Sequence, residues 1–361
     1  MNKKVFTVIQ VMPIFEMAGA QTMCENLVME LKKNKDIRCI VITFFKNNCK
    51  IVERLKKNGI EVICLNKHRG FDVKIIFKLA YYFKKIKPNV IHTHLSALQY
   101  VYIAYLLQKN KKKIKIVHTI HNIAEKENKD RIRKIQKYLF RKGIVVPVAI
   151  SKTIQESVVK EYGIDESKVP IVYNSIDLSR CIEKDTSKFN YKFINIGRMT
   201  EQKNQVELIE IFSKIQRKYP KSILYIVGKG KLKEVIEKKI SALKLKKSVV
   251  IIENLESCYK ILNESDVFLM TSRFEGLPMT IIEALGTGLP VVTYNVGGIK
   301  DIITDGENGF IANTDSEFLK DVEKLVENEK LRKILSQNEL ESSKKFNSRY
   351  MADEYLKIYI R

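Results

Sequence analysis

No segment of this chain stays apolar for the roughly 20 residues that a membrane-crossing helix needs. The longest apolar stretches, such as 100–107 and 281–285, fall far short, so no transmembrane helix is expected. The start, Met1-Asn2-Lys3-Lys4, is basic, but Pro13 and Glu16 follow and there is no small-residue cleavage pattern. It reads as the approach to a first β-strand at 5–11 rather than as a secretory leader. None of Cys24, Cys39, Cys49, Cys64, Cys181 and Cys258 stands in a C-x-x-C pair, and the five histidines are not arranged with them at zinc-ligand spacing. That pattern fits a reduced, cytoplasmic setting. Short internal repeats are absent, and low complexity is confined to lysine clusters.

What is present is ample apolar content, 45% of 361 residues, enough for two domains with cores of their own. The formal net charge is +24 and is unevenly placed: residues 1–180 hold 35 Lys and Arg against 15 Asp and Glu. Basic residues mix with aromatic and aliphatic ones in 74–87 (with Phe77, Tyr81, Tyr82 and Phe83), in 100–115 and in 131–142. Such segments can lie on an anionic bilayer surface. The plainer alternative is a lysine-rich protein filling its solvated helix faces.

Short apolar strands alternate with helical patterns, the mark of a parallel sheet covered by helices on both faces. The pattern runs twice. Strands are expected at 5–11, 39–44, 90–93, 114–120 and 147–150, with helices such as 22–33 and 153–162, and again at 193–196, 222–227, 249–252, 267–270 and 291–294. The polar stretch 174–191 reads as the connection. This is an α/β chain of two Rossmann-like doubly wound domains facing across a cleft, with ligands at the carboxyl ends of the strands. The punctuated loops 12–20, 197–203 and 228–230 and the loop at Glu275 all fall there.

The stretch Ser272-Arg273-Phe274-Glu275-Gly276-Leu277-Pro278-Met279-Thr280-Ile281-Ile282-Glu283-Ala284 leaves a strand and enters a helix. Gly276 and Pro278 break the run, and Pro278 falls near the first helical position, where its missing N–H costs nothing. The free N–H groups of a helix start at 276–280 suit a phosphate, while Glu275 and Glu283 can accept hydrogen bonds from sugar or ribose hydroxyls. In Gly197-Arg198-Met199-Thr200-Glu201-Gln202-Lys203-Asn204 two cations sit on a loop before a helix, where they can neutralise a diphosphate. A solvated loop is the alternative. Gly228-Lys229-Gly230 allows a turn with close ligand approach or a simple tight turn, and Gly297-Gly298 can form an anion-binding nest. His121, at a strand end, can reach a reacting sugar or be a satisfied structural residue. His92 and His94 share a strand face, but no third metal ligand accompanies them.

Together these pieces resemble the GT-B-fold retaining glycosyltransferases of family 4, over nearly the whole chain. Ala18-Gly19-Ala20-Gln21 looks like the family's Gly-Gly-Ala-Glu loop with its first Gly and its Glu replaced, and 171–177 resembles Val-x-Asn-Gly-x-Asp with Ser175 in place of Gly. Arg198 and Lys203 match the phosphate-binding pair, with Asn204 where Gly is common. Glu275 and Glu283 match the E-x7-E signature. Gly297-Gly298, Asp301, Asp305-Gly306 and Asn308-Gly309 follow the Gly-Gly-x-x-Glu and Asp-Gly-x-Asn-Gly run.

The resemblance implies an acceptor-binding domain at 1–176, a donor-binding domain at 177–345 and a last helix, 346–361, crossing back to the first domain with Tyr355 and Tyr359 as packing residues. It implies that Arg198 and Lys203 hold the donor diphosphate, Glu275 the donor sugar and Glu283 the ribose. His121 would lie near the transferred sugar, and Gly19 would let the first loop approach the diphosphate. Gly197, Gly228, Gly230, Gly276, Leu277, Pro278, Met279 and Thr280 complete the expected donor site. The implied reaction is a hexosyl transfer in polysaccharide biosynthesis, from a UDP-sugar in preference to other nucleotide sugars, to a hydroxyl of a lipid-linked or envelope saccharide, with retention. The chain has no Asp-x-Asp pair of the kind that holds a divalent ion in many sugar transferases, so no metal or other cofactor is expected. The expected place is the cytoplasm, at the inner face of the plasma membrane as a peripheral protein. The alternatives are a nucleotide-sugar epimerase and a basic nucleic-acid-binding protein, although no nucleic-acid module is recognised in the basic segments.

Overall fold

The computed structural model describes residues 5–16, 18–46, 49–185, 188–253, 255 and 257–361. They form two compact units, Met1–Ser175 together with Ser348–Arg361, and Ile176–Asn347. In the first unit, runs rich in Val and Ile form six strands: β1 (Phe6–Met12), β2 (Ile37–Thr43), β3 (Glu61–Cys64), β4 (Val90–His94), β5 (Lys115–Ile120) and β6 (Val145–Ala149). All pair in parallel, in the order β3-β2-β1-β4-β5-β6. The second unit holds β7 (Lys192–Ile196), β8 (Ile223–Val227), β9 (Val249–Ile252), β10 (Val267–Met270), β11 (Val291–Tyr294) and β12 (Phe310–Ala312). Their order, β12-β11-β10-β7-β8-β9, is the same Rossmann winding read from the other edge.

Each unit buries its own apolar core. Ile9, Val11, Ile40, Ile42, Leu79 and Phe83 build one, and Phe193, Leu208, Phe212, Leu224, Leu269 and Phe318 the other. Ten strands fall where the hydrophobic pattern puts them, within a few residues. Two do not: β3 is partly exposed, β12 is three residues long, and each lies at a sheet edge, so neither writes a full apolar run. Pro147 sits inside β6, which is also an edge and tolerates the lost N–H. The Ser348–Ile360 helix packs against the Gly19–Lys32 helix of the first unit. Among the described residues no helix is long and apolar enough to cross a membrane.

The interior of the first sheet is unusually polar. Side chains alternate faces along a strand, so His92 and His94 of β4 share one face, with ring centroids 4.2 Å apart. His118 of β5 is also fully buried. Burial disfavours the imidazolium, pushing His118 down to about 4 and His121 down to about 3, and holding His92 and His94 well below the ordinary 6.5. Burial also pushes a carboxylic acid of this unit, Glu127, up to about 8. In the second unit burial raises Glu283 to about 7 and Glu339 well above its ordinary 4.5.

These shifts give the two units opposite responses to acid. A histidine with a depressed folded pKa contributes stability above its unfolded value that is lost as pH falls, here at four histidines against one opposing carboxyl. A carboxyl with a raised folded pKa contributes stability that is fully present below its unfolded value and lost as pH rises through the folded one. Hydrogen exchange, corrected for intrinsic rates, should therefore show β1, β4 and β5 losing protection between about pH 7 and about pH 5.5 while β7, β10 and β11 hold or gain it. Equal loss in both sheets would contradict this assignment.

Candidate active site

In the second sheet the strand order reverses between neighbours β7 and β10, whose connections leave toward opposite sides. That divergence opens a crevice at the carboxyl ends of the two strands, the general ligand position of doubly wound sheets. Residues 197–204 leave β7 and residues 271–278 leave β10. Several bonds tie them together. Arg273 N donates to Gln202 O at 2.8 Å, Gln202 Nε2 to Phe274 O at 3.0 Å and Thr271 Oγ1 to Asn204 O at 3.1 Å. Lys203 Nζ meets Glu275 Oε1 at 2.7 Å, with side chains only 15% and 6% exposed.

Local geometry explains the residues around this pair. Asn204 precedes the Gln205–Lys218 helix with φ of 51°, a left-handed conformation that Asn tolerates and most residues do not. The stem of Lys203 lies on Gly197, where an added Cβ would come within 3.2 Å of Lys203 Cγ, Cδ and Cε. Arg198 is exposed, and among the described residues its guanidinium has no ion pair or hydrogen bond. The same loops thus offer one cation already paired and one open to an anion.

The glycines expected to admit a ligand also admit neighbouring backbone. A Cβ on Gly228 would lie 2.0 Å from Gly197 O, and one on Gly230 2.3 Å from Met199 O. Gly297 has φ of +55°, and its Cβ would lie 1.8 Å from Glu275 O. The Gly298 N–H donates to Gly276 O at 3.0 Å, so it is spent inside the protein rather than in an anion nest. Pro278 is the residue before the Met279–Thr287 helix rather than its first. Leu277, Pro278 and Met279 are buried, which leaves backbone rather than side chains for a ligand at these positions. Two buried hydroxyl oxygens, Ser272 Oγ and Thr280 Oγ1, have no partner among the described residues. Ser272 has no sequence signal of its own, since a single serine beside a strand carries no periodicity or motif.

Glu283 lies on the same helix as Thr280, beside Cys258 and Arg180. Burial raises its carboxyl to about 7, against the Cys258 thiol hydrogen bond and the Arg180 charge, which lower it. Burial, with Glu283 nearby, pushes the Cys181 thiol up to about 12. Neither Cys258 nor Arg180 was marked by a motif, because both reach Glu283 only through the fold.

The remaining expected residues belong to the first unit. Gly19 opens the Gly19–Lys32 helix behind an extended Ala18, and Gln21 Nε2 donates to Ile14 O at 3.2 Å. His121 follows β5. Its backbone N–H donates to Glu127 Oε1 at 2.9 Å, its Nε2 lies 3.2 Å from His94 Nδ1, and its Nδ1 is buried without a partner. Tyr355 and Tyr359 do more than pack: their hydroxyls lie 2.7 Å from Thr119 Oγ1 and His92 Nδ1.

The contact between Gly297 and the Glu275 backbone leads to a stability prediction. Gly297→Ala should cost roughly 2 kcal/mol or more in urea unfolding of the second unit, combining positive φ with a backbone clash. Gly306→Ala, at φ of +76° with open space around its Cβ, should cost only about 1 kcal/mol. Equal costs would show that the two loops do not interlock.

Comparison with known proteins shows similarity to glycosyltransferases in both units. The family described as Glycosyltransferase Family 4 matches residues 17–180, and that described as Glycosyl transferases group 1 matches residues 182–341. An uncharacterised glycosyltransferase of Methanocaldococcus jannaschii is 32% identical over 239 residues, covering 61% of this chain and 59% of that protein. The match thus spans less than two thirds of that relative. The UDP-Gal:alpha-D-GlcNAc-diphosphoundecaprenol alpha-1,3-galactosyltransferase of Escherichia coli is 26% identical over 270 residues, covering 70% of this chain and 69% of the relative. Among solved structures, Anabaena HepE in complex with UDP and glucose superposes with a TM-score of 0.85 at 17% identity, over 98% of this chain and 99% of that one. Matched in both units by glycosyltransferase families, and built from two Rossmann-wound parallel sheets, the chain belongs to the GT-B-fold glycosyltransferases of the family 4 type.

Proposed function

We propose that this glycosyltransferase moves a sugar from a UDP-sugar to a hydroxyl of a lipid-linked or envelope saccharide, with retention of configuration and without a metal. The observation that carries the donor half is the Lys203–Glu275 pair at the reversal of the second sheet, with the open Arg198 on the same loop. A diphosphate bound there competes for Lys203, and a Glu275 carboxylate released from it accepts hydrogen bonds from sugar hydroxyls. Glu283 serves the ribose, and the unpartnered Ser272 and Thr280 hydroxyls take further polar groups of the donor. Charge that grows on the departing diphosphate is met by Arg198 and Lys203, the part a divalent ion plays in metal-dependent transferases. The departing phosphate oxygen takes the acceptor proton on the same face of the sugar, so no second base is called for.

Support for UDP comes from the ligand of the Anabaena structure and the donor named for the Escherichia coli relative, and the latter's name also supports a lipid-diphosphate-linked saccharide as acceptor. Such an acceptor sits at a membrane surface. The first unit carries a fitting face on and around the Val73–Ile86 helix, where Phe71, Phe77 and Tyr81 are 67%, 63% and 58% exposed among Lys74, Lys78, Lys84 and Lys85. Exposed aromatics flanked by lysines suit an anionic bilayer.

A thermal-shift screen of UDP-, GDP- and ADP-sugars should single out UDP-sugars, because a ligand that binds only the folded state raises its stability. With the donor so found, Arg198→Ala and Lys203→Ala should each lower turnover by about a hundredfold or more. Intact turnover in both would remove them from the site. Flotation with anionic vesicles at low salt should carry the protein up and leave a Phe71→Ser/Phe77→Ser/Tyr81→Ser variant behind; no flotation of the parent would exclude the membrane face.

A further inference from the structure

We propose that Gln10 is a positioning residue for His121: acting through His94, its amide fixes the tautomer in which His121 Nδ1 carries a lone pair and can accept a hydrogen bond from a substrate hydroxyl. This rests on the family resemblance, which implies that His121 lies near the transferred sugar.

The argument is one of donor bookkeeping in a continuous, largely buried chain. Gln10 is fully buried, and its Nε2 donates to Tyr359 OH at 3.1 Å, so Oε1 is the atom 2.9 Å from His94 Nε2. A carbonyl oxygen only accepts, so His94 Nε2 carries the hydrogen. His94 is fully buried, which keeps its ring neutral with a single N–H, and His94 Nδ1 must therefore accept. The atom facing it at 3.2 Å, His121 Nε2, then donates. The half-buried His121 is kept neutral by desolvation, which pushes it down to about 3, so its one hydrogen is used and Nδ1 is bare. Among the described residues that atom is buried without a partner, so its lone pair is available to accept.

The rest of the chain runs the same way. Tyr359 OH, having accepted from Gln10, donates to His92 Nδ1 at 2.7 Å; His92 Nε2 donates to Thr119 Oγ1 at 2.7 Å; and Thr119 Oγ1 donates to Tyr355 OH at 2.7 Å. Every donor points away from His121; from Gln10 through His94 to His121, where each atom either donates or accepts, reversing one link means reversing the others. His118 belongs to a separate chain, bonded to Thr93 Oγ1 at 2.9 Å and to Gln136 Nε2 at 3.3 Å. The last helix of the protein, through Tyr359 and Tyr355, thereby anchors the hydrogen-bond state of His121.

The full chain, labelled with 15N-histidine, has only five histidines, so two-bond correlation spectra are assignable with single variants, including His121→Ala. At about pH 7.5 His121 should be in the Nε2–H form, since neutral imidazole tautomers are set by their partners. Gln10→Met should raise the Nδ1–H form to a comparable population and lower kcat about tenfold with the donor found by thermal shift, the loss of one well-aligned hydrogen bond. If Gln10→Met does not fold, Tyr359→Phe, which removes the acceptor that orients the amide and keeps the ring, should move the tautomer in the same sense. In a His121→Ala background Gln10→Met should cost nothing more, as expected of residues acting as one unit. An Nδ1–H form in the parent, an unmoved tautomer in both variants or an additive cycle would overturn the proposal. If His121→Ala leaves turnover intact, the placement of His121 at the sugar fails instead, and the spectra still show whether Gln10 sets the tautomer.

Discussion

Lys203 and Glu275 hold together two loops that the topology drives apart. The chain leaves β7 toward β8 on one side and β10 toward β11 on the other, so neighbouring strands end in diverging connections. Either charge alone at 15% or 6% exposure would be costly, and each offsets the other's desolvation. The pair is therefore a requirement of the fold as much as a feature of the site's chemistry. Only an anion that replaces Glu275, and hydroxyls that replace Lys203, can separate the two ions at low cost.

The backbone around the pair is interlocked rather than open. Gly228 and Gly230 let the second β-strand loop of this unit reach the backbone of 197–199, and Gly297 lets the loop after β11 reach Glu275. The spacing of these glycines does not show which they admit, ligand or protein, because absence of a Cβ looks the same in either case. Asn204 is the converse. The residue before the Gln205–Lys218 helix is left-handed, a conformation that Asn, like Gly, tolerates, so Asn204 adopts it without a glycine.

In the first unit the polar interior depends on the end of the chain. Gln10 and Tyr359 are 349 residues apart in sequence and bonded at 3.1 Å. Tyr355 and Tyr359 fall on the apolar stripe of an amphipathic helix, and that pattern says only that they are buried. What they meet, a threonine and a histidine on two different strands, turns two core aromatics into hydrogen-bonding groups. Glu127 shows the same limit, since nothing local distinguishes it from the exposed Glu125 two residues away in the same short helix.

The strands at the centre of each sheet, the helix starts at Gln205 and Met279, and the residue types Arg198, Lys203, Glu275 and Glu283 were legible in the sequence, because burial on both faces and the chemistry of phosphate and hydroxyl binding both leave local marks. The short edge strands β3 and β12 left too weak a mark. Tertiary structure alone decided that Lys203 meets Glu275 across 72 residues, that Glu283 sits with Cys258 and Arg180, and that His121 ends a chain of donors anchored in the last helix. Periodicity and spacing describe what a residue can do within its own turn or strand. Partners, protonation and tautomer are set by what the fold brings to within 3 Å, and that is a property of the sheet order and not of the neighbouring sequence.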